Sequence, residues 1–202
     1  MKESAMFART ERLLLRPSWP EDASALHDAI ADEGIIRNLA RAPWPYTQCD
    51  AAAFAALEHG PLFPNFMLML RTDGAPKLIG SCGLGERDGE AELGYWIARL
   101  YWGQGYAAEA AKAVVGIAKA LGHAKLVAGH FTDNPASGRV LRKVGFRPLG
   151  RCEQRYSAGR GREVATALFE LPLAVDSKDG SDIDAPVSFN RLRAEMPMMR
   201  AA

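Results

Sequence analysis

The chain is poor in cysteine, in net charge and in long apolar runs. Only Cys49, Cys82 and Cys152 occur in its 202 residues, an odd number with no C-x-x-C spacing. Three scattered thiols build no disulfide framework, so a reducing cytoplasm is the expected location. Lys and Arg number 25 against 24 Asp and Glu, a formal charge of +1. Phosphate-driven affinity needs a basic excess or stripe, so no nucleic-acid partner is expected. The longest purely apolar run is AAAFAAL at 51–57, far below the ~20 residues of a membrane span. MKESAMFART lacks the form of a signal peptide, so no membrane partner is expected. His27, His59, His123 and His130 show no metal-ligand spacing, no H-E-x-x-H occurs, and no metal is expected. No G-x-S-x-G marks a hydrolase nucleophile.

What is present is an ordinary globular composition, 48% hydrophobic and 24% charged. A chain of this length buries roughly 70% of its unfolded surface and needs no staples. A short strand is expected at 11–16. The run Ser18-Trp19-Pro20-Glu21 then has capping-box form and opens a helix to about Asp32. Two prolines exclude regular structure at 41–47, and a second helix is expected over 50–59. Strands at 66–71, 77–84 and 90–98 are joined by linkers carrying the Asp-Gly signal of antiparallel hairpins.

The pattern changes after Ala98. Val114, Ile117, Ala118 and Leu121 recur at helical spacing, predicting an amphipathic helix over 107–121. A strand at 125–131, a helix over 134–144 and strands at 146–155 and 162–171 follow. Strand, crossover helix and strand require a parallel pair, so the sheet is mixed, with a single parallel step. The domain is placed at 8–173. Residues 174–202, with the aperiodic DSKDGSDID, read as a mostly disordered tail.

The most informative stretch is GYWIARLYWGQGYAAEA at 94–110. A strand ends, a glycine loop follows and a helix begins, so unpaired N–H groups gather at the positive end of a helix dipole. That arrangement suits a phosphate or pyrophosphate. The spacing Gly103-x-Gly105-x-x-Ala108, with Asp133 ending the next strand, also fits a dinucleotide fingerprint. An NAD(P)-dependent oxidoreductase is therefore one alternative. In TDNPASGRVLRKVGF at 132–146, Asn134-Pro135 reads as an N-cap followed by proline at the first helical position. Within strand 90–98, alternation places Glu90, Glu92, Gly94 and Trp96 on one face.

WGQGYAAEA followed by NPASGRVLRKVGF resembles the GNAT superfamily of acetyl-CoA-dependent N-acetyltransferases. The likeness is nearest to the branch containing ribosomal-protein N-terminal acetyltransferases. RLLLRPSWPEDA at 12–23, PWPYT at 43–47 and GYW at 94–96 support it, and the likeness spans roughly 8–173. It implies an α/β fold with a mixed, mostly antiparallel sheet, one splayed parallel pair and flanking helices. It further implies transfer of acetyl from acetyl-CoA to a primary amine, a peptide N-terminus or small amine, by direct attack. Carried over by position, Trp102, Gly103, Gln104, Gly105, Tyr106 and Ala107 form the pyrophosphate loop. Trp96, Ile97 and Ala98 would pair with the pantetheine arm, and Asn134 would hold that arm from the other side.

Glu92 falls where several such enzymes carry a strand glutamate, and is the candidate base. A solvated or ion-paired strand carboxylate is the plain alternative. The position of the usual tyrosine acid is Leu141. Ser137 of Asn-x-x-Ser is then the candidate donor to the leaving sulfur, or simply a serine bonding its own helix end. The loss of that tyrosine keeps a non-catalytic acyl-CoA-binding regulator open. Trp44 and Tyr46 are candidates for the acceptor pocket, or a hydrophobic plug over the sheet. Arg151, Arg155, Arg160 and Arg162 read as a solvated face. The expected partners are acetyl-CoA and an amine acceptor, with a homodimer left open.

Overall fold

A computed structural model describes residues 6–173; the expected tail at 174–202 lies outside them. The first half holds β1 (Ala8–Arg9), β2 (Leu13–Arg16), α1 (Ala23–Ile30), α2 (Glu33–Ile36) and α3 (Gln48–Ala55). A meander follows: β3 (Asn65–Leu70), β4 (Lys77–Arg87) and β5 (Glu90–Ile97). The second half is α4 (Tyr106–Ala120), β6 (Lys125–Phe131), α5 (Pro135–Val144), β7 (Arg147–Ser157) and β8 (Arg162–Pro172). All eight strands form one sheet in the order β1-β2-β3-β4-β5-β6-β8-β7. Every neighbouring pair is antiparallel except β5–β6, which is parallel. The mixed sheet with one parallel step is the architecture expected.

Period-2 alternation gives the sheet two apolar faces. Phe66, Leu68, Ile79, Leu93 and Leu126 pack with Val114 and Ile117 of α4 and Leu141 of α5. Met67 and Trp96 point the other way, onto Leu26, Ile30, Ile36 and Ala51. The β4–β5 turn has Asp88 at φ 50° and Gly89 at φ 80°, the paired positive φ of a type I′ hairpin. Helix α5 ends at Gly145, φ 112°, where Phe146 N–H reaches back to Leu141 O at 3.0 Å, a Schellman closure.

The first sixty residues differ most from expectation. Ser18 does not open a helix. A 3-10 turn at Pro20–Asp22 precedes α1, which stops at Ile30. Asp22 Oδ2 accepts from Trp19 N–H at 2.8 Å, because Arg16 holds that carboxylate in place with two further bonds (2.6 and 2.7 Å). Helix α2, capped by Asp32, was not anticipated. Helix α3 begins at Gln48 because Thr47 and Asp50 cap each other (Asp50 N–H to Thr47 Oγ1 3.2 Å, Thr47 N–H to Asp50 Oδ2 2.8 Å).

The Arg16–Asp22 pair is nearly water-free, its side chains 9% and 10% exposed, with Arg16 stacked 4.0 Å from the Trp19 ring centre. Burial pushes the Asp22 carboxyl up, but the bonds from Arg16 and Trp19 outweigh it and hold the group below its usual range. Its stabilising effect is therefore complete above the unfolded carboxylate value, ~3.9, and is lost as pH falls through the depressed folded value. Asp22→Asn strands a buried guanidinium and should cost about 3–5 kcal/mol at pH 7. Urea melts from pH 7 downward should show the gap to wild type closing in acid; a gap independent of pH would refute this.

Candidate active site

Strands β5 and β6 pair only at Ala91↔Leu126 and Glu92↔Val127, yet β5 runs on to Ile97 and β6 to Phe131. The two strands therefore part. Ala98 N–H donates to Ile79 O at 2.8 Å, so even-numbered residues here turn their backbone to β4. Leu93, Tyr95 and Ile97 turn theirs to the gap. Ile97 O already accepts from the Trp102 indole N–H at 2.6 Å. The open edge beneath it borders a cavity of about 530 Å³.

The glycine loop stands at the mouth of this gap. Gly103 and Gly105 have φ 75° and 86°, a left-handed backbone that side chains resist. The first intrahelical bond of α4 runs from Glu109 N–H to Gly105 O (3.1 Å). The amides of Tyr106, Ala107 and Ala108 thus lack helical partners and can receive an anion. Sequence reasoning missed what holds the loop. Glu109 accepts from Thr10 Oγ1 (2.6 Å), Arg12 N–H (2.9 Å) and Arg12 Nε (2.7 Å). Arg12 Nη1 donates to Gln104 O (3.0 Å), and its guanidinium lies 4.2 Å from the Tyr106 ring centre. Burial pushes the Glu109 carboxyl up, but Thr10 and Arg12 together hold it below the usual range. The bond to Glu109 raises Arg12 in turn.

Deeper in the gap, Glu92 is paired with Arg155, which also grips Glu153. Glu153 in turn meets Arg87 at 3.2 Å. The Arg155 guanidinium lies over the backbone of β6: a Cβ on Gly129 would stand 2.9 Å from its Nη1. Arg155 and Arg160 are not on a solvated face, their side chains being 11% and 8% exposed. Carboxylates from other segments draw them in, and no local pattern announces such partners. On the other side of the gap, Asn134 Oδ1 accepts from Ser137 N–H (3.3 Å) and caps α5. Ser137 Oγ lies 2.8 Å from the Tyr95 hydroxyl. Leu141 is sealed in the core.

The expected site residues Glu92, Trp96, Ile97, Trp102, Gly103, Gly105, Tyr106, Ala107, Asn134 and Ser137 all border the one cavity. Ala98 is buried with Trp96 in the second apolar cluster, and Gln104 bonds Leu100 O instead (3.0 Å). Trp44 and Tyr46 do not reach the cavity. Tyr46 is a buried plug of the second cluster, its phenol pushed up to about 12 by burial and by Asp50. Ile35, Leu39 and Ala40 line the cavity instead. That segment is pinned where Ala158 N–H meets Ala40 O (2.8 Å) and Arg160 Nε meets Arg37 O (2.6 Å). Arg139 and Lys143, one helical turn apart on α5, also line the cavity. Their i, i+4 spacing was the available signal.

The dinucleotide alternative is not favoured. Its acid, Asp133, is held by Arg160 (2.7 and 3.0 Å) and Arg37 (3.3 Å), and Arg160 above all keeps it below the usual carboxylate range. Only one parallel step exists in the sheet, where a dinucleotide domain needs several.

An opened parallel pair with free helix-terminal amides at its mouth can take an extended molecule with an anionic end. The family model described as "Acetyltransferase (GNAT) domain" matches residues 12–147, and the chain belongs to this family of acetyltransferases. It is 31% identical over 171 residues to the uncharacterized N-acetyltransferase YoaA of Bacillus subtilis, covering 80% of this chain and 94% of that one. A GNAT-family acetyltransferase from Bacillus anthracis superposes with a TM-score of 0.71 at 25% identity, over 83% of this chain and 98% of that one. RimL, a ribosomal L7/L12 α-N-protein acetyltransferase solved in complex with coenzyme A, shares the fold (TM-score 0.69, 18% identity, 84% and 99% coverage). Among the described residues no helix is long and apolar enough to cross a membrane, and no group of three or more His, Cys, Asp or Glu is placed to hold a metal ion.

Gly105→Val tests the anion loop. A branched side chain at φ 86° strains the backbone by about 1–2 kcal/mol and covers the free amides. Calorimetry should show acetyl-CoA binding weakened roughly tenfold to a hundredfold. Unchanged affinity would take the loop out of the site.

Proposed function

We propose that the protein transfers the acetyl group of acetyl-CoA to a primary amine by direct attack, and that peptide N-termini of ribosomal or similar proteins are the acceptors. The observation that carries this reading is the parallel pair that opens after two residues with the α4 amide loop at its mouth. The pyrophosphate would sit on the amides around Gly103–Ala107, with Arg139 and Lys143 adding positive charge. The pantetheine arm would pair as an extra strand along Leu93–Ile97, with Asn134 opposite. The free thiols Cys49, Cys82 and Cys152 support a cytoplasmic setting.

In this reading Glu92 takes the ammonium proton, directly or through one water. The neutral amine nitrogen then bonds the thioester carbon, and charge gathers on the carbonyl oxygen beside the open β5 amides. The C–S bond breaks while the surplus proton on nitrogen passes to solvent, leaving a neutral amide and a thiolate. Ser137 donates a hydrogen bond to the departing thiolate. The acceptor would enter past Ile35, Leu39 and Ala40, on the side of the gap where Glu92 lies with Arg155. The RimL likeness supports the acceptor class by fold alone.

A thiol-release screen with acetyl-CoA against peptides, polyamines, amino acids and aminoglycosides tests the reading; no amine-dependent release would defeat it. Glu92→Gln keeps shape and hydrogen bonding but cannot take a proton. It should retain acetyl-CoA affinity while the chemical step slows about 10²–10⁴-fold; near-full turnover would leave Glu92 as an ion-pair partner of Arg155 only. Acceptor preference gives a separate check. An α-amine near pKa ~8 needs roughly 3.3 kcal/mol less deprotonation work at pH 7 than a lysine near ~10.4. An Ala- or Ser-initiated peptide should therefore be acetylated at its terminus, and faster labelling of an internal lysine, read by mass spectrometry, would overturn the preference.

A further inference from the structure

The tyrosine that the family places on α5 is absent here, but a different tyrosine reaches the preceding turn of the same helix from across the gap. Tyr95 stands on β5 just beyond the last β5–β6 pair. Its hydroxyl lies 2.8 Å from Ser137 Oγ and 3.1 Å from Ser137 O, and both residues border the cavity. Leu141, one turn further along α5, is 1% exposed and carries no proton to give. We propose that Tyr95 is the positioning residue of the transfer, holding Ser137 Oγ so that the serine hydrogen is directed at the departing sulfur.

The donor inventory supports this assignment. A phenol has one hydrogen and a serine hydroxyl has one hydrogen and two acceptor sites. The phenol hydrogen has two acceptors in reach, Ser137 Oγ at 2.8 Å and the carbonyl Ser137 O at 3.1 Å. Given to the nearer Oγ, it leaves the serine hydrogen free for another acceptor. Given to the carbonyl, it draws the serine hydrogen back to the phenol oxygen. Ser137 N–H is already spent on Asn134 Oδ1 (3.3 Å), so cap and hydroxyl are fixed by separate partners. Burial raises the Tyr95 phenol above its ordinary value, against the opposing pull of the bond to Ser137. Tyr95 thus stays protonated throughout the working range and keeps its donor role. No net proton leaves Tyr95 or Ser137. The C–S bond breaks, the electron pair stays on sulfur, and that sulfur is stabilised by a hydrogen bond until solvent protonates it. Thiols titrate near ~8.5, so a hydrogen bond is sufficient help.

This inference rests on the acetyl-transfer reading and is tested by a double-mutant cycle of Tyr95→Phe and Ser137→Ala. Single-turnover acetyl transfer is measured beside acetyl-CoA affinity and melting temperature. Tyr95→Phe keeps the ring and should slow the chemical step about 3- to 10-fold, the worth of one hydrogen bond, with acetyl-CoA affinity unchanged. On the Ser137→Ala background the same change should have no effect, and Ser137→Thr, which keeps the hydroxyl, should retain most activity. The alkaline limb of the rate profile below pH 9 should be the same in Tyr95→Phe as in wild type. An equal slowing by Tyr95→Phe on both backgrounds would make Tyr95 a strut only. A shifted alkaline limb would make it the acid itself. Either result overturns the inference while the acetyl-transfer reading stands. A wild type that binds acetyl-CoA but acetylates no amine defeats both.

Discussion

The cleft depends on β5 and β6 parting after two residue pairs. A strand leaving its neighbour exposes N–H and C=O groups that cannot stay unpaired in a half-buried site. An apolar ligand would leave those groups unsatisfied. A chain carrying its own amides, extended like a strand, satisfies them in the way a sheet would. On the proposed reading, the parting selects a class of ligand before any side chain acts. The rest of the structure keeps the gap open and lined: α4 at its mouth, α5 along one side, and the buried β7–β8 arginines in its depth.

The two ends of the gap differ electrostatically. At the mouth, positive charge comes from the backbone, as free amides and a helix dipole, and the α5 cations Arg139 and Lys143 also line the cavity. The loop that supplies those amides is tied to the β1–β2 turn by Arg12 and Glu109. A contact between residues almost a hundred positions apart thus sets the shape of the anion site. In the depth, Glu92, Arg155, Glu153 and Arg87 form a charge-balanced chain across three strands. Such a chain is weak as a source of stability, but it fixes where each charge can be.

Local signals were legible where the physics is local. The Asp88-Gly89 turn, the Asn134 cap and the Gly145 stop each depend on one or two residues' own φ or hydrogen-bonding capacity. The glycine loop was legible for the same reason. What could not be read depended on distant partners. Ser18 looked like a cap, yet the N-cap position falls to Trp19, whose N–H donates to the Asp22 carboxylate that Arg16 holds in place. Arg155 and Arg160 looked like surface cations until carboxylates from other strands and loops met them. One wall of the cavity includes Ile35, Leu39 and Ala40, in a segment whose position is set by the turn at 158–160. Trp44 and Tyr46, aromatic and proline-flanked, were the conspicuous candidates, and one of them became core.

The indole of Trp102 occupies the carbonyl of Ile97. That single bond closes the upper end of the open edge, as an end-stop closes a rail. On the proposed reading, an extended chain laid along β5 would find backbone partners below Ile97 and none at its carbonyl, while the glycine loop would hold its phosphate end. Held at one end and stopped along its length, such a chain would have one register available. The span from phosphate to thioester carbon, which is the same in every acyl-CoA, would then act as a ruler that sets that carbon at one point beside β5. Any choice among acyl groups would fall to the cavity beyond it.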